Sequence, residues 1–259
     1  MPNGISSLSS GFSKRAGDAR QGTVYGIVVH TTGSGVVDVS AKKGRDPLEY
    51  TVHDVYENPD NYCAHYVVGW DGTIWQVMDE TLRAQHVGFP ANDREAFLDG
   101  SWEQNMANDG KSKVVALWKA RWPDFKSPAH LFPGPSPNQV YVGIEMIPLT
   151  GAAAQPAPLL SNDVARKYTD AQHQAVARLI ADVAARWSLA LDEICDPKKG
   201  RLVGHEDLNP VERSDAGGGW DPGALRDVAR FDWDYLRTQI QAAQAPAPAD
   251  QPAAQPTTP

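Results

Sequence analysis

From Val24 to His30 the chain reads Val-Tyr-Gly-Ile-Val-Val-His, a short, β-branched and nearly all-apolar run that predicts a strand covered on both faces. His30 falls at its C-terminal end. Two further β-rich runs, Tyr62 to Trp70 and Thr73 to Met78, are joined across Asp71-Gly72, a dipeptide that favours the positive φ angles of a tight hairpin turn. Val140 to Ile147 predicts another buried strand and sets Glu145 inside an otherwise apolar element. Thr169-Asp170-Ala171-Gln172 has the form of a capping box, and Val176, Leu179, Ile180, Val183 and Trp187 follow at helical spacing, which predicts a helix over 170–187. A last helix is expected from Asp232 to Gln241.

Strand-like and helix-like stretches thus alternate between two ends of different character. Residues 244–259 carry five Pro and five Ala and no large apolar side chain, so they cannot bury enough surface to offset the entropy of ordering, and a disordered tail is expected. Residues 1–20, rich in Ser and Gly, predict a flexible arm whose order depends on docking to the body at 21–243. Within that body, 89–138 gathers Phe97, Trp102, Trp118, Trp122, Phe125 and Phe132 among Pro, Asp and Asn; it is either a structured insertion or a lid.

Composition narrows the class. In 259 residues, 41% are apolar and 22% charged, the profile of an ordinary globular chain rather than a disordered, collagenous or coiled-coil one. A net charge of −8 lacks the basic footprint that a phosphate backbone demands, so nucleic acid is excluded as the expected partner. Cys63 and Cys195 have no close metal spacing and cannot make a disulfide framework, although a single bridge stays open. The first residues hold no apolar h-region, and no run of ~18 apolar residues occurs, so neither a signal peptide nor a membrane span is expected.

Seven histidines are present. His53, in a charged segment, His130, beside prolines, and His173, on the expected helix, read as structural or surface residues. His30 differs because it ends an apolar strand and precedes Thr-Thr-Gly-Ser-Gly, where the active sites of open α/β sheets sit. His205 closes a second apolar approach, Leu202-Val203-Gly204, and is followed by Glu206-Asp207. Two imidazoles and a nearby carboxylate suit Zn²⁺, which takes three protein ligands in catalytic sites and leaves a fourth position open.

These segments resemble a known family. Ile27-Val28-Val29-His30-Thr31-Thr32-Gly33, Cys63-Ala64-His65-Tyr66-Val67-Val68 with Asp71-Gly72-Thr73-Ile74, Ala84-Gln85-His86-Val87-Gly88, Val142-Gly143-Ile144-Glu145, Val203-Gly204-His205-Glu206-Asp207 and Trp220-Asp221-Pro222-Gly223 follow, in order, the signature blocks of the type-2 N-acetylmuramoyl-L-alanine amidases. That family includes phage amidases and peptidoglycan recognition proteins. The blocks span 24–233, with 89–138 outside the resemblance.

The resemblance implies an α/β fold, a central mixed β-sheet flanked by helices, with a zinc centre in a groove on one face. It assigns His30 and His205 as zinc ligands and Glu145 as catalytic base. Burial of that carboxylate in an apolar strand disfavours its charged form and brings its pKa toward the range useful for taking a proton from water. For the third ligand, Asp215 lies ten residues beyond His205 with Arg213 two before it, as in aspartate-ligand amidases, while Asp221, sixteen beyond, keeps the family's following Pro-Gly. Asp221 is the preferred ligand and Asp215 the alternative, with the Gly217-Gly218-Gly219 run as an inserted loop. Arg213 stands for the usual lysine that donates to the oxyanion. His86 is expected as a substrate contact, and His65 as either a groove or a structural residue. The tyrosine that assists some phage members is replaced by Ala64.

The activity implied is zinc-dependent hydrolysis of the lactyl–L-alanine amide of peptidoglycan; the alternative is a recognition module that binds muropeptides without cutting them. A monomer made in the cytoplasm is expected. Three settings are open: a holin-released endolysin, a cytoplasmic recycling amidase, or an antibacterial effector with a delivery apparatus and an immunity protein. The insertion and tail favour a lytic or delivered enzyme.

Overall fold

The computed structural model describes residues 5–7, 18–32, 34–58, 61–87, 136–149, 168–208, 213–215, 218–219, 221–222 and 231–243. Most of the expected insertion at 89–138 and the whole tail at 244–259 lie outside the described residues. Six strands form one mixed sheet: β1 (Ile5–Ser7), β2 (Gly26–Thr31), β3 (Tyr66–Val68), β4 (Ile74–Gln76), β5 (Tyr141–Met146) and β6 (Leu202–Gly204), in the spatial order β1-β4-β3-β5-β2-β6. Strand β2 pairs in parallel with both β5 and β6, β5 pairs in parallel with β3, and only the β3–β4 hairpin is antiparallel. The central mixed sheet implied by the sequence blocks is therefore the architecture observed.

The hairpin turns where Asp71-Gly72 predicts. Gly72 takes a φ of 82°, and the Gly69 N–H donates to the Thr73 carbonyl at 2.9 Å. A side chain there would also press on the Ala171 carbonyl at 2.8 Å, so the turn is seated against the helix that begins beside it. At the other end of the chain's order, Ile5–Ser7 pairs with β4, and Arg20 is buried, its guanidinium donating to the Glu80, Gln139 and Tyr141 carbonyls.

Strand alternation sorts the sheet into two faces. Ile27, Val29, Val142, Ile144 and Met146 join Ala175, Val176, Leu179, Ile180 and Val183 of the long helix Asp170–Arg186, with Leu236 and Ile240 of the last helix Trp233–Ala243, in the larger core. Fully burying each Val, Leu, Ile or Met side chain among these stabilises the fold by about 1.5–3 kcal/mol. Val67 lies on the opposite face in a smaller core with Val37, Leu48, Val52 and Tyr56. Those residues come from α1 (Ser34–Lys42), the short α2 (Pro47–Tyr50) and the π-helical turn Thr51–Tyr56 that continues it. Cys63 and Cys195 are buried in separate cores and no disulfide joins them, so the bridge left open by the sequence is not formed.

The short α3 (Pro137–Val140) leads into β5, and α5 (Leu191–Cys195) leads toward β6. Helix α4 spans Asp170–Arg186 and begins with the predicted box: Thr169 Oγ1 accepts the Gln172 N–H and Gln172 Oε1 accepts the Thr169 N–H, both at 3.0 Å. Both side chains also tie the helix to the sheet. The Thr169 hydroxyl donates to the Trp70 carbonyl at 2.6 Å, and the Gln172 amide donates to the Ile147 carbonyl at 2.8 Å. Thr169→Ala is expected to destabilise by about 1–2 kcal/mol through loss of the cap, measured as a lower urea midpoint with an unchanged slope. After α4, α6 (His205–Leu208) follows β6 without a break, a two-strand hairpin of β7 (Ser214–Asp215) and β8 (Gly218–Gly219) comes next, and α7 (Trp233–Ala243) closes the described chain. No helix among the described residues is long and apolar enough to cross a membrane.

Candidate metal centre and active site

Parallel pairing of β2 with β5 puts His30 directly opposite Glu145, and parallel pairing with β6 ends one residue before His205. The site therefore forms at the C-terminal ends of three adjacent parallel strands, where the chain leaves the sheet and side chains can converge. Ligand atoms of His30, His205 and Asp221 lie within 4.8 Å of one another, and all three side chains are buried. The Asp221 carboxylate is the hub. Its Oδ2 lies 3.0 Å from His205 Nδ1 and its Oδ1 3.7 Å from His30 Nδ1, while Oδ1 also accepts the Thr31 N–H at 2.9 Å.

Two local devices carry Asp221 there. The Asp221 N–H donates to Glu206 Oε2, and the Glu206 N–H donates to the Asp221 carbonyl, both at 2.9 Å, which clamps this segment to the start of α6. Gly204, just before His205, lets Pro222 approach; a Cβ at that position would stand 2.7 Å from Pro222 Cδ. Hairpin β7–β8 turns the chain out and back, pairing Ser214 with Gly219 and Asp215 with Gly218. Arg213 and Asp221 thereby meet although eight positions separate them: Arg213 Nε donates to His205 Nδ1 at 3.3 Å and lies 3.6 Å from Asp221 Oδ2. The side chain of Asp215 lies outside the described residues.

Electrostatics separate the two carboxylates. Burial pushes the Asp221 carboxyl up, but His30 and His205 outweigh that penalty and hold it below the usual carboxylate range. Glu145 has no such partner at hand. Burial, reinforced by the charge of Asp221, pushes its carboxyl up to about 8, with Tyr56 and Arg213 opposing. Its Oε2 is buried without a hydrogen-bond partner among the described residues. Tyr56, at the end of the π-helical turn, interacts through its hydroxyl with the Glu145 carboxyl. Sequence reading missed this residue: Ala64 stands where a tyrosine is expected, and a hydroxyl arrives from a different element.

His65 and His86, the expected groove residues, are both buried next to the donor set. His65 is fully buried, accepts the Gly143 N–H on Nδ1 at 3.0 Å and sits 3.0 Å from the Arg20 guanidinium; burial and then Arg20 hold its pKa down to about 3. His86 is buried with Nδ1 2.8 Å from His30 Nε2. Of the remaining histidines, His173 is buried in α4 against Phe231 and His53 lies between Glu49 and Glu57 on the surface, as structural and surface residues should; His130 lies outside the described residues.

Two buried imidazoles, a buried aspartate and a second carboxylate of raised pKa meet at the C-terminal ends of parallel strands in this α/β protein, the setting in which active sites are built. Residues 20–224 match the Amidase_2 family, and the chain belongs to this family of N-acetylmuramoyl-L-alanine amidases. No curated protein matches it. Among solved structures it is similar to a selenomethionine derivative of AmpD (18% identity, 93% of this chain and 96% of the other, TM-score 0.47). It is also similar to AmpD from Citrobacter freundii (16%, 95% and 96%, TM-score 0.41). A third is the N-acetylmuramoyl-L-alanine amidase LysC from Clostridium intestinale (11%, 93% and 99%, TM-score 0.41).

Proposed function

We propose that the chain is a zinc-dependent amidase that hydrolyses the amide between the lactyl group of N-acetylmuramic acid and L-alanine in peptidoglycan, with His30, His205 and Asp221 as the ligands. The observation that carries this reading is the convergence of those three buried donors beside Glu145. The donor set fits the ion: two imidazoles and one carboxylate match the three-ligand pattern of catalytic zinc sites. Burial also holds the pKa of His30 below its ordinary value, which keeps its ring neutral and able to donate a lone pair. Bound zinc would supply a Lewis acid for the scissile carbonyl and lower the pKa of water toward ~7.

The chain's own residues do the rest. Glu145 takes a proton from the attacking water and delivers it to the alanine nitrogen as the C–N bond breaks. Its raised pKa makes the protonated form accessible near neutral pH, so one group serves as base and then as acid. Arg213 stands beside the donor set and offers N–H groups to the developing oxyanion. Tyr56 orients the Glu145 carboxyl. With a net charge of −8 the protein gains no long-range attraction to an anionic wall, so binding rests on local contacts.

The test is mass spectrometry of products from purified sacculi. Release of stem peptides with a free L-alanine amine, stopped by a chelator and restored by zinc, is expected. Sacculi that are bound but left intact would establish the recognition module instead.

A further inference from the structure

A histidine that binds a metal through one ring nitrogen carries its proton on the other, and that N–H is almost always donated to a carboxylate, a backbone carbonyl or a water. At His30 the neighbour is a second imidazole. His30 Nδ1 faces Asp221 Oδ1 at 3.7 Å, and His30 Nε2 lies 2.8 Å from His86 Nδ1. A lone pair directed from His30 Nδ1 toward a cation requires the hydrogen on Nε2, and His86 Nδ1 must then accept it. The proton of His86 is thereby driven to its own Nε2, which is buried without a partner among the described residues. A buried N–H left unpaired is costly and calls for a reason. Use of the Nδ1 lone pair by His30 supplies one.

The surroundings hold His86 for this purpose. Asn138 Oδ1 accepts the N–H groups of His86 and Val87 at 3.0 and 2.8 Å, and Asn138 Nδ2 donates to the Val87 carbonyl at 2.9 Å. The ring lies over Gly143, where a Cβ would come within 2.7 Å of His86 Cγ and Nδ1. It meets the His30 ring edge to face, with centroids 5.0 Å apart and planes at 89°. Glycine two residues before the base is thus what makes room for the imidazole behind the ligand.

The geometry points to His86 as the positioning residue of the metal centre, accepting the His30 N–H, fixing its tautomer and aiming Nδ1 at the cation. This inference rests on the zinc reading above. A carboxylate in the same place would add a second negative charge behind Asp221. The neutral imidazole orients His30 while leaving a divalent ion with one aspartate a net positive, electrophilic centre.

Zinc affinity of the full chain, measured by competition with a chromophoric chelator, tests the role without reference to activity. His86→Ala is expected to weaken zinc binding ~10–100-fold, the usual loss for a residue that holds a ligand. His86→Asn, whose Oδ1 offers an acceptor near the Nδ1 position, should recover most of that loss, and Gly143→Ala should weaken binding by displacing the ring. Unchanged affinity in both His86→Ala and Gly143→Ala overturns the role. Equal loss in His86→Ala and His86→Asn overturns it too, because packing alone would then account for the effect. If His86→Ala does not fold, His86→Asn and Gly143→Ala carry the comparison, which fails if Gly143→Ala binds like wild type. Wild-type protein that binds no zinc, or His30→Ala that binds as tightly as wild type, overturns the zinc reading itself, a separate outcome.

Discussion

Glutamine in place of Glu145 is expected to cut release of stem peptides from sacculi by on the order of 10²–10⁴-fold, the contribution typical of a positioned general acid–base group. Zinc content should stay at the wild-type level, because Glu145 faces the donor set from the neighbouring strand without belonging to it. Release at the wild-type rate by a folded, zinc-loaded variant would remove Glu145 as the base. The pH dependence has a definite sign. Burial and Asp221 push the carboxyl up to about 8, and a bound cation, which favours the charged form, draws it back down. Activity should therefore rise with pH along a limb above the ordinary glutamate value of ~4.3. Tyr56 opposes the upward shift. Removing its hydroxyl in Tyr56→Phe should move that limb to higher pH, and a limb that stays in place would show that Tyr56 does not act on Glu145.

The pieces of this site that were legible in the sequence are those whose signal is local. His30 and Glu145 each sit in an unbroken apolar run of strand length, and the Asp71-Gly72 turn and the Thr169 box declare themselves within four residues. What joins them is long-range. No local pattern says that β2 lies between β5 and β6, yet that order alone places His30 beside both Glu145 and His205. Tyr56 was hidden because it belongs to a π-helical turn, whose wider spacing gives no 3.6-residue stripe to follow. His86 reads from sequence as a loop residue open to substrate, since the residues that bury it, Gly143 and Asn138, are more than fifty positions away. Arg213 was legible as a candidate, and the pairing of β7 with β8 accompanies its approach to within 3.6 Å of Asp221, eight positions on.

That hairpin also makes the choice between the two aspartates a sharp experiment. Asp221→Ala should lose both zinc and activity, whereas Asp215→Ala should keep most of each. Asp221 accepts the Thr31 N–H, contacts His205 at 3.0 Å and is clamped by Glu206, so its carboxylate is held in place by both main chain and side chains. Its removal also leaves buried polar groups without their partner, at a cost of about 3–5 kcal/mol where a buried charge pair is broken. A drop in zinc content alone could then reflect unfolding. Asp221→Asn separates the two effects: it keeps the size and one acceptor oxygen while removing the charge, so a folded Asp221→Asn protein with little zinc assigns the loss to ligation. Zinc per chain in Asp221→Ala, Asp221→Asn and Asp215→Ala, measured beside thermal unfolding, decides the assignment. Loss of zinc confined to Asp215→Ala would mean that the ten-residue spacing from His205 selects the ligand, and that the Asp221 carboxylate serves only to orient His205 and Thr31.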